Sequence, residues 1–136
     1  MMKNTLDPES KEALVAYRLE RAQGTLQEAQ LLAGESFFNA AINRLYYGCY
    51  YAAVALLLKH NHPTQTHSGV KTLLGLHFVS KGILSIEDGK TFATLFEKRQ
   101  SGDYDDFVFC DKEMFDGLYP KAESFVSNIK NLIENS

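Results

Sequence analysis

Apolar side chains return at helical spacing along most of this chain, and the pattern predicts helices almost throughout. Asp7-Pro8 reads as an N-cap with proline at the first helical position, and Leu14, Tyr17, Ala22, Leu26, Ala29 and Leu32 follow up to Gly34. Ser36 is the expected cap of a second helix, from Phe37 to about His60, with Ala41, Leu45, Cys49, Ala53 and Leu57 as its apolar positions. At about 1.5 Å per residue both helices are roughly 35 Å long, and the short linkage at Glu35 makes them antiparallel neighbours. The run HNHPTQTHSG is a loop, because Pro63 resists helix and the polar residues around it have nothing to bury. A third helix is expected from Thr66 or Ser68 to a left-handed cap at Gly82. A fourth begins at Ser85, carries Ile86, Phe92, Leu95 and Phe96 inward and is stopped by Gly102. The stretch SGDYDDFVFC is irregular or briefly extended. Asp111 then caps a last helix towards Ile133, which Pro120 kinks or divides. The predicted fold class is all-α, an antiparallel helical bundle of about five helices.

Composition narrows what such a bundle does. With 136 residues, 45% hydrophobic and 23% charged, the chain is expected to be one globular domain over residues 1–136. Its net charge of −3 excludes a polycationic nucleic-acid coat. Two cysteines, Cys49 and Cys110, are too few for a disulfide framework, and MMKNTLDPES lacks an apolar signal core. A soluble, cytoplasmic protein with no membrane contact is expected. Charge is unevenly spread, however. Residues 55–86 hold Lys59, Lys71, Lys81 and all four histidines without a carboxylate, which makes them the candidate anion-facing region. By contrast Asp103, Asp105, Asp106, Asp111, Glu113 and Asp116 crowd one segment against Lys112 alone, and such a segment repels phosphate.

Common catalytic signatures are missing: there is no GxSxG, GxxxxGK(S/T), CxxC or HExxH. No histidine has glutamate three residues before it, which closes the di-iron route of helical bundles. His60, His62 and His67 match no standard metal spacing and read as solvated loop residues, so neither metal nor cofactor is expected. On the second helix Tyr46/Tyr50 and Tyr47/Tyr51 are each one turn apart, forming two adjacent aromatic faces. They serve either core and dimer packing or a base-stacking platform. Asn43, one turn earlier, suggests a buried hydrogen bond. Arg99, near the end of the fourth helix, is either a partner of the helix dipole and of Asp103, or half of a polar pair with Tyr104 that faces Asn43 in a cleft.

The blocks AINRLYYGCYYAAVALLL, THSGVKTLLGLHFVSKGIL and LFEKRQSGDYDD, in that order between about Leu14 and Ile133, resemble the HEPN domain, the nucleotide-binding helical domain of higher eukaryotes and prokaryotes, in its small stand-alone prokaryotic branch. The resemblance implies an antiparallel bundle that forms a homodimer and acts with a minimal nucleotidyltransferase as a toxin–antitoxin pair. It also implies a site. Active ribonucleases of the family carry Arg-x4–6-His at the end of the matching helix and cleave RNA without metal. Arg99 matches that arginine, but Tyr104 stands five residues later and no histidine follows His77. Tyrosine, with a pKa of about 10, is a poor base at neutral pH, where an imidazole near about 6.5 suits both proton transfers. Tyr50-Tyr51 stands where relatives of this branch often have Phe-His, so the site is expected to lack a group that exchanges protons readily. The function implied is a nucleotidyltransferase partner that binds RNA or a nucleotide through Arg99, Asn43 and Lys71 with little or no catalysis. The alternatives are a metal-independent endoribonuclease toxin using Arg99, Tyr104 and Asn43, and a structural dimerisation adaptor.

Overall fold

The computed structural model describes residues 7–104, without the side chains of 100–104, and residues 109–135. Its elements are α1 (Pro8–Gly34), α2 (Phe38–Lys59), α3 (His67–Leu74) continued by a π-helical turn (Gly75–Val79), α4 (Ile86–Tyr104) and α5 (Lys112–Glu134). No strand occurs among the described residues, and the all-α bundle stands as expected. No described helix is long and apolar enough to cross a membrane.

Helix α1 starts where Asp7 Oδ1 accepts the backbone N–H of Ser10 at 2.7 Å, with Pro8 contributing the φ angle a first turn needs. Its buried stripe is Val15, Leu19, Ala22, Leu26 and Ala29. Tyr17, expected on that stripe, is 55% exposed, because the alternation of four- and three-residue steps from Val15 leaves it on the flank. Ser36 does not cap α2. It takes a left-handed φ of 66° and ends α1: its N–H bonds to Ala33 O and that of Phe37 to Leu32 O, the paired closure of a Schellman turn. Helix α2 therefore begins at Phe38 without a side-chain cap.

Helix α2 is the centre of the bundle, with α1, α3, α4 and α5 all packed on it. Its small residues make this possible: Gly48, Cys49, Ala52, Ala53 and Ala55 are buried between Leu45 and Leu57. At Gly48 a Cβ would meet Leu26 Cδ2 at 2.7 Å and the Ala22 carbonyl oxygen at 3.3 Å, so α1 lies close against α2 at that point. Asn61, also left-handed, ends α2 as Ser36 ends α1.

Thr66 Oγ1 accepts the N–H of Gly69 at 2.9 Å and fixes the start of α3, while Gly82, with φ 74°, turns the chain towards α4 as expected. Two further expectations about α4 are corrected. Ile86 is 68% exposed, since a residue in the first turn projects beyond the packed face that Phe92, Leu95 and Phe96 bury. Gly102 does not stop the helix, which continues to Tyr104; a glycine costs a helix interior only about 1 kcal/mol against alanine. Helix α5 is capped by Asp111, whose Oδ1 accepts from Met114 N at 2.9 Å, and Pro120 does not divide it. The N–H of Cys110 donates to Asn39 Oδ1 at 2.9 Å, tying the segment before α5 to the first turn of α2.

Candidate nucleic-acid interface

The tyrosines of α2 build the site. Tyr46 points inward and is 0% exposed, whereas Tyr47, Tyr50 and Tyr51 are half-buried and line a seam between α1, α3 and α4. Neighbouring rings touch throughout: Tyr46 and Tyr47 lie 5.1 Å apart edge to face, Tyr47 and Tyr51 6.1 Å, and Tyr50 and Tyr51 5.9 Å.

Around these rings stand all four arginines of the chain. Arg99 of α4 donates from Nε to the Tyr47 hydroxyl at 3.3 Å, and its guanidinium lies 5.9 Å from the Tyr46 ring and 6.0 Å from that of Tyr47. Arg44, one turn before Tyr47 on α2, covers the same ring at 5.0 Å. Arg21 of α1 lies 5.4 Å from the Tyr51 ring. Arg18, one turn earlier, draws the Tyr50 phenol towards its anion, as Arg99 does; burial outweighs both and pushes that phenol up. Burial pushes Tyr46 up further, against the pull of Arg99. These phenols are consequently neutral hydrogen-bonding groups at pH 7, and the guanidiniums are held in place by aromatic faces. The carboxylate that joins them is Glu28, 3.7 Å from Arg21 and 3.5 Å from Arg44.

A histidine completes the seam. His67, first residue of α3, stacks on Tyr50 with 4.3 Å between ring centres and 23° between planes. Its Nδ1 shares a 2.7 Å hydrogen bond with the Tyr46 hydroxyl. This corrects the reading of His67 as a solvated loop residue. The Thr66 cap fixes the start of α3, and the first side chain of that helix meets α2. The pairing spans 21 residues of sequence, so no local pattern announces it.

The other expected residues fall as follows. Lys71 stands one turn after His67 and lies 5.3 Å from the Phe96 ring, itself 6.2 Å from Tyr46, so Lys71 and Arg99 flank one aromatic group. Asn43 is half-buried and accepts from Arg44 at 3.4 Å through Oδ1. The side chains of Tyr104 and Asp103 lie outside the described residues, as do Asp105 and Asp106. Arg18, Arg21 and Arg44 do not stand out in the sequence, because acidic residues such as Glu12, Glu20, Glu28 and Glu35 are interspersed with them. The signal available was spacing: Arg44, Tyr47 and Tyr51 share one face of α2, and Arg18 and Arg21 one face of α1. Chemically, the seam offers bidentate donors for phosphate, flat faces for bases and neutral phenols for sugar hydroxyls.

Comparison with known proteins finds similarity along most of the chain. The family model of the HEPN domain matches residues 15–132. A UPF0332 protein of Thermotoga maritima is 36% identical over 125 residues, covering 92% of this chain and 95% of the relative. Two Methanocaldococcus jannaschii proteins bear the name "Putative toxin". One is 30% identical over 133 residues and 98% of each chain, the other 28% identical over 115 residues, 85% of this chain and 78% of the relative.

Proposed function

The chain belongs to the HEPN domain family, and from that membership and the arginine–tyrosine seam together we propose that it binds RNA or a nucleotide as the partner of a nucleotidyltransferase-type protein in a toxin–antitoxin module, with little or no catalysis of its own. The observation that carries the binding is the convergence of four guanidiniums, from α1, α2 and α4, on one run of tyrosines in a chain of net charge −3. Electrostatics alone does not draw such a protein to a polyanion, so the attraction is local and geometrically defined. The toxin setting is supported by the two relatives that carry that name. The nucleotidyltransferase and the homodimer rest on family resemblance. Because the tyrosines pack within the protomer, exposed Leu76, Ile83 and Ile86 supply apolar area for a second copy instead.

The test is fluorescence anisotropy of a labelled single-stranded RNA decamer at low salt, with coexpression and copurification of a minimal nucleotidyltransferase for the partnership. Binding that weakens with salt and falls about tenfold in Arg99→Gln supports the interface. Absence of binding, or an unchanged Arg99→Gln, overturns it. One observation favours a second reading, a metal-independent endoribonuclease: the half-buried His67 imidazole bonded to Tyr46. Chelator-resistant cleavage that is lost in His67→Ala would reverse the ranking.

A further inference from the structure

Lys71 and His67 of the carboxylate-free stretch 55–86 lie at the tyrosine seam, but its other basic residues gather elsewhere, at the corner where the end of α2 meets the π-helical turn. There His62 and His77 stack flat, with 3.9 Å between ring centres and 4° between planes. Buried Phe78 supports the corner, edge to face with His60 at 5.3 Å and with His62 at 6.5 Å. The titratable groups acting on His60 and His77 are bases alone: Lys11 from α1, Lys59 at the end of α2, Lys81 from the turn before α4, and His62. Lys59, Lys81 and the three imidazoles enter no ion pair among the described residues. The carbonyls that end α2 are already taken, those of Leu56, Leu57 and Leu58 by the N–H groups of His60, His62 and Asn61, and that of Lys59 by Lys11 Nζ at 3.4 Å. No bare carbonyl of that helix end is therefore left to repel an anion.

We propose that this corner binds a phosphate monoester or free phosphate and takes up a proton with it, ring N–H groups of His62 and His77 donating to separate oxygens while Lys59 and Lys81 balance the remaining charge. The proton comes from solvent and resides on one of the stacked imidazoles. Electrostatics decides the coupling. Imidazoliums stacked this closely repel each other and the lysines around them, so protonation is held back until an anion sits among them. Charge decides the class of anion. A phosphate monoester carries about −1.5 to −2 at pH 7, offers three acceptor oxygens and titrates near about 6, the range in which imidazole changes charge. A carboxylate brings half that charge at most. The corner is separate from the seam, since nine residues of α2, about 14 Å, lie between Tyr50 and Lys59, and the site stands without the interface reading.

The test follows the histidine C2–H signals of the full-length protein by proton NMR, from about pH 5 to 8, in chloride and in inorganic phosphate of equal ionic strength. Phosphate raises the titration midpoints of His62 and His77, assigned through His62→Gln and His77→Gln, by about one pH unit, equivalent to about tenfold tighter binding by the protonated form. In His77→Gln the His62 response falls severalfold. Lys81→Gln, at an exposed position outside the core, weakens phosphate binding about two- to threefold and decides if His77→Gln fails to fold. Anisotropy with RNA decamers phosphorylated at the 5′ end, at the 3′ end or at neither then distinguishes the sources. A terminal phosphate that tightens binding about tenfold at about pH 6, and much less at about pH 7.5, identifies an RNA end as the ligand. Equal binding of the three decamers, with the phosphate response intact, identifies free phosphate. Midpoints that are the same in chloride and phosphate overturn the site, as does a response undiminished in both His77→Gln and Lys81→Gln. If no decamer binds, the seam interface fails, and the NMR titration still decides the corner.

Discussion

Glu28→Gln is the perturbation that separates a phosphate-binding seam from a merely structural one. Glu28 bridges two helices, with oxygens 3.5 Å from Arg44 and 3.7 Å from Arg21. The side chains are 46% exposed for the glutamate and 29% and 37% for the arginines, so solvent screens both pairs and each stabilises the fold by about 0.2–1 kcal/mol at most. Phosphate has to compete with that carboxylate for the same guanidiniums. Replacing it by the neutral amide therefore releases up to about 1 kcal/mol to binding, an increase of about fivefold in affinity for an RNA decamer. The salt dependence changes too. Single strands show a slope of about −0.7 per phosphate neutralised, so a seam that gains one full contact steepens by about 0.7 in log K against log salt. Anisotropy titrations between about 50 and 200 mM salt read both quantities. Thermal unfolding should change by no more than a few degrees. Weaker binding, or an unchanged slope, in a folded Glu28→Gln protein would refute the argument and mark the salt bridges as architectural.

Other outcomes follow from the packing. Asn128 Nδ2 donates at 2.8 Å to Asp88 Oδ2, and Asp88 is 6% exposed; Asn128→Ala should destabilise the protein by about 1–3 kcal/mol in urea titration, and a neutral result would mean that water reaches the carboxylate. Gly48→Ala should lose about 1–3 kcal/mol despite alanine's better helix propensity, because the Ala22 carbonyl at 3.3 Å is backbone and cannot swing aside; a stabilised variant would refute the close crossing. His77, stacked flat on His62 at 3.9 Å and near Lys81, is held below its ordinary pKa by burial, then by those two neighbours. His60 is lowered likewise by burial, Lys59, His62 and Lys11. The unfolded chain thus takes up more protons as pH falls through about 6.5, and the stability present above that value is lost below it. The melting temperature should drop between about pH 7.5 and 5.5, less so in His77→Gln; a flat profile in the parent protein would contradict this.

What the sequence by itself determined is local. The helices, the caps at Asp7 and Asp111, a third helix opening at Thr66 or Ser68 and the left-handed Gly82 follow from spacing, side-chain acceptors and backbone freedom, all short-range properties; the structure selects Thr66 as the third cap. Ser36 and Gly102 mark where short-range rules mislead. Serine is a good N-cap, yet here its backbone closes the preceding helix. Glycine is a poor helix former, yet its cost is small enough for a helix to pass through it. The seam was legible only in fragments: Arg99, Lys71 and the tyrosine pairs were visible, but their common face with Arg18, Arg21, Arg44 and His67 was not. Burial decides which side of a helix faces a neighbour, and burial depends on all the helices together. Only the crossing of α1 over Gly48, which sets Arg18 and Arg21 beside Tyr50 and Tyr51, and the turn at Thr66, which lays His67 on Tyr50, assemble the site.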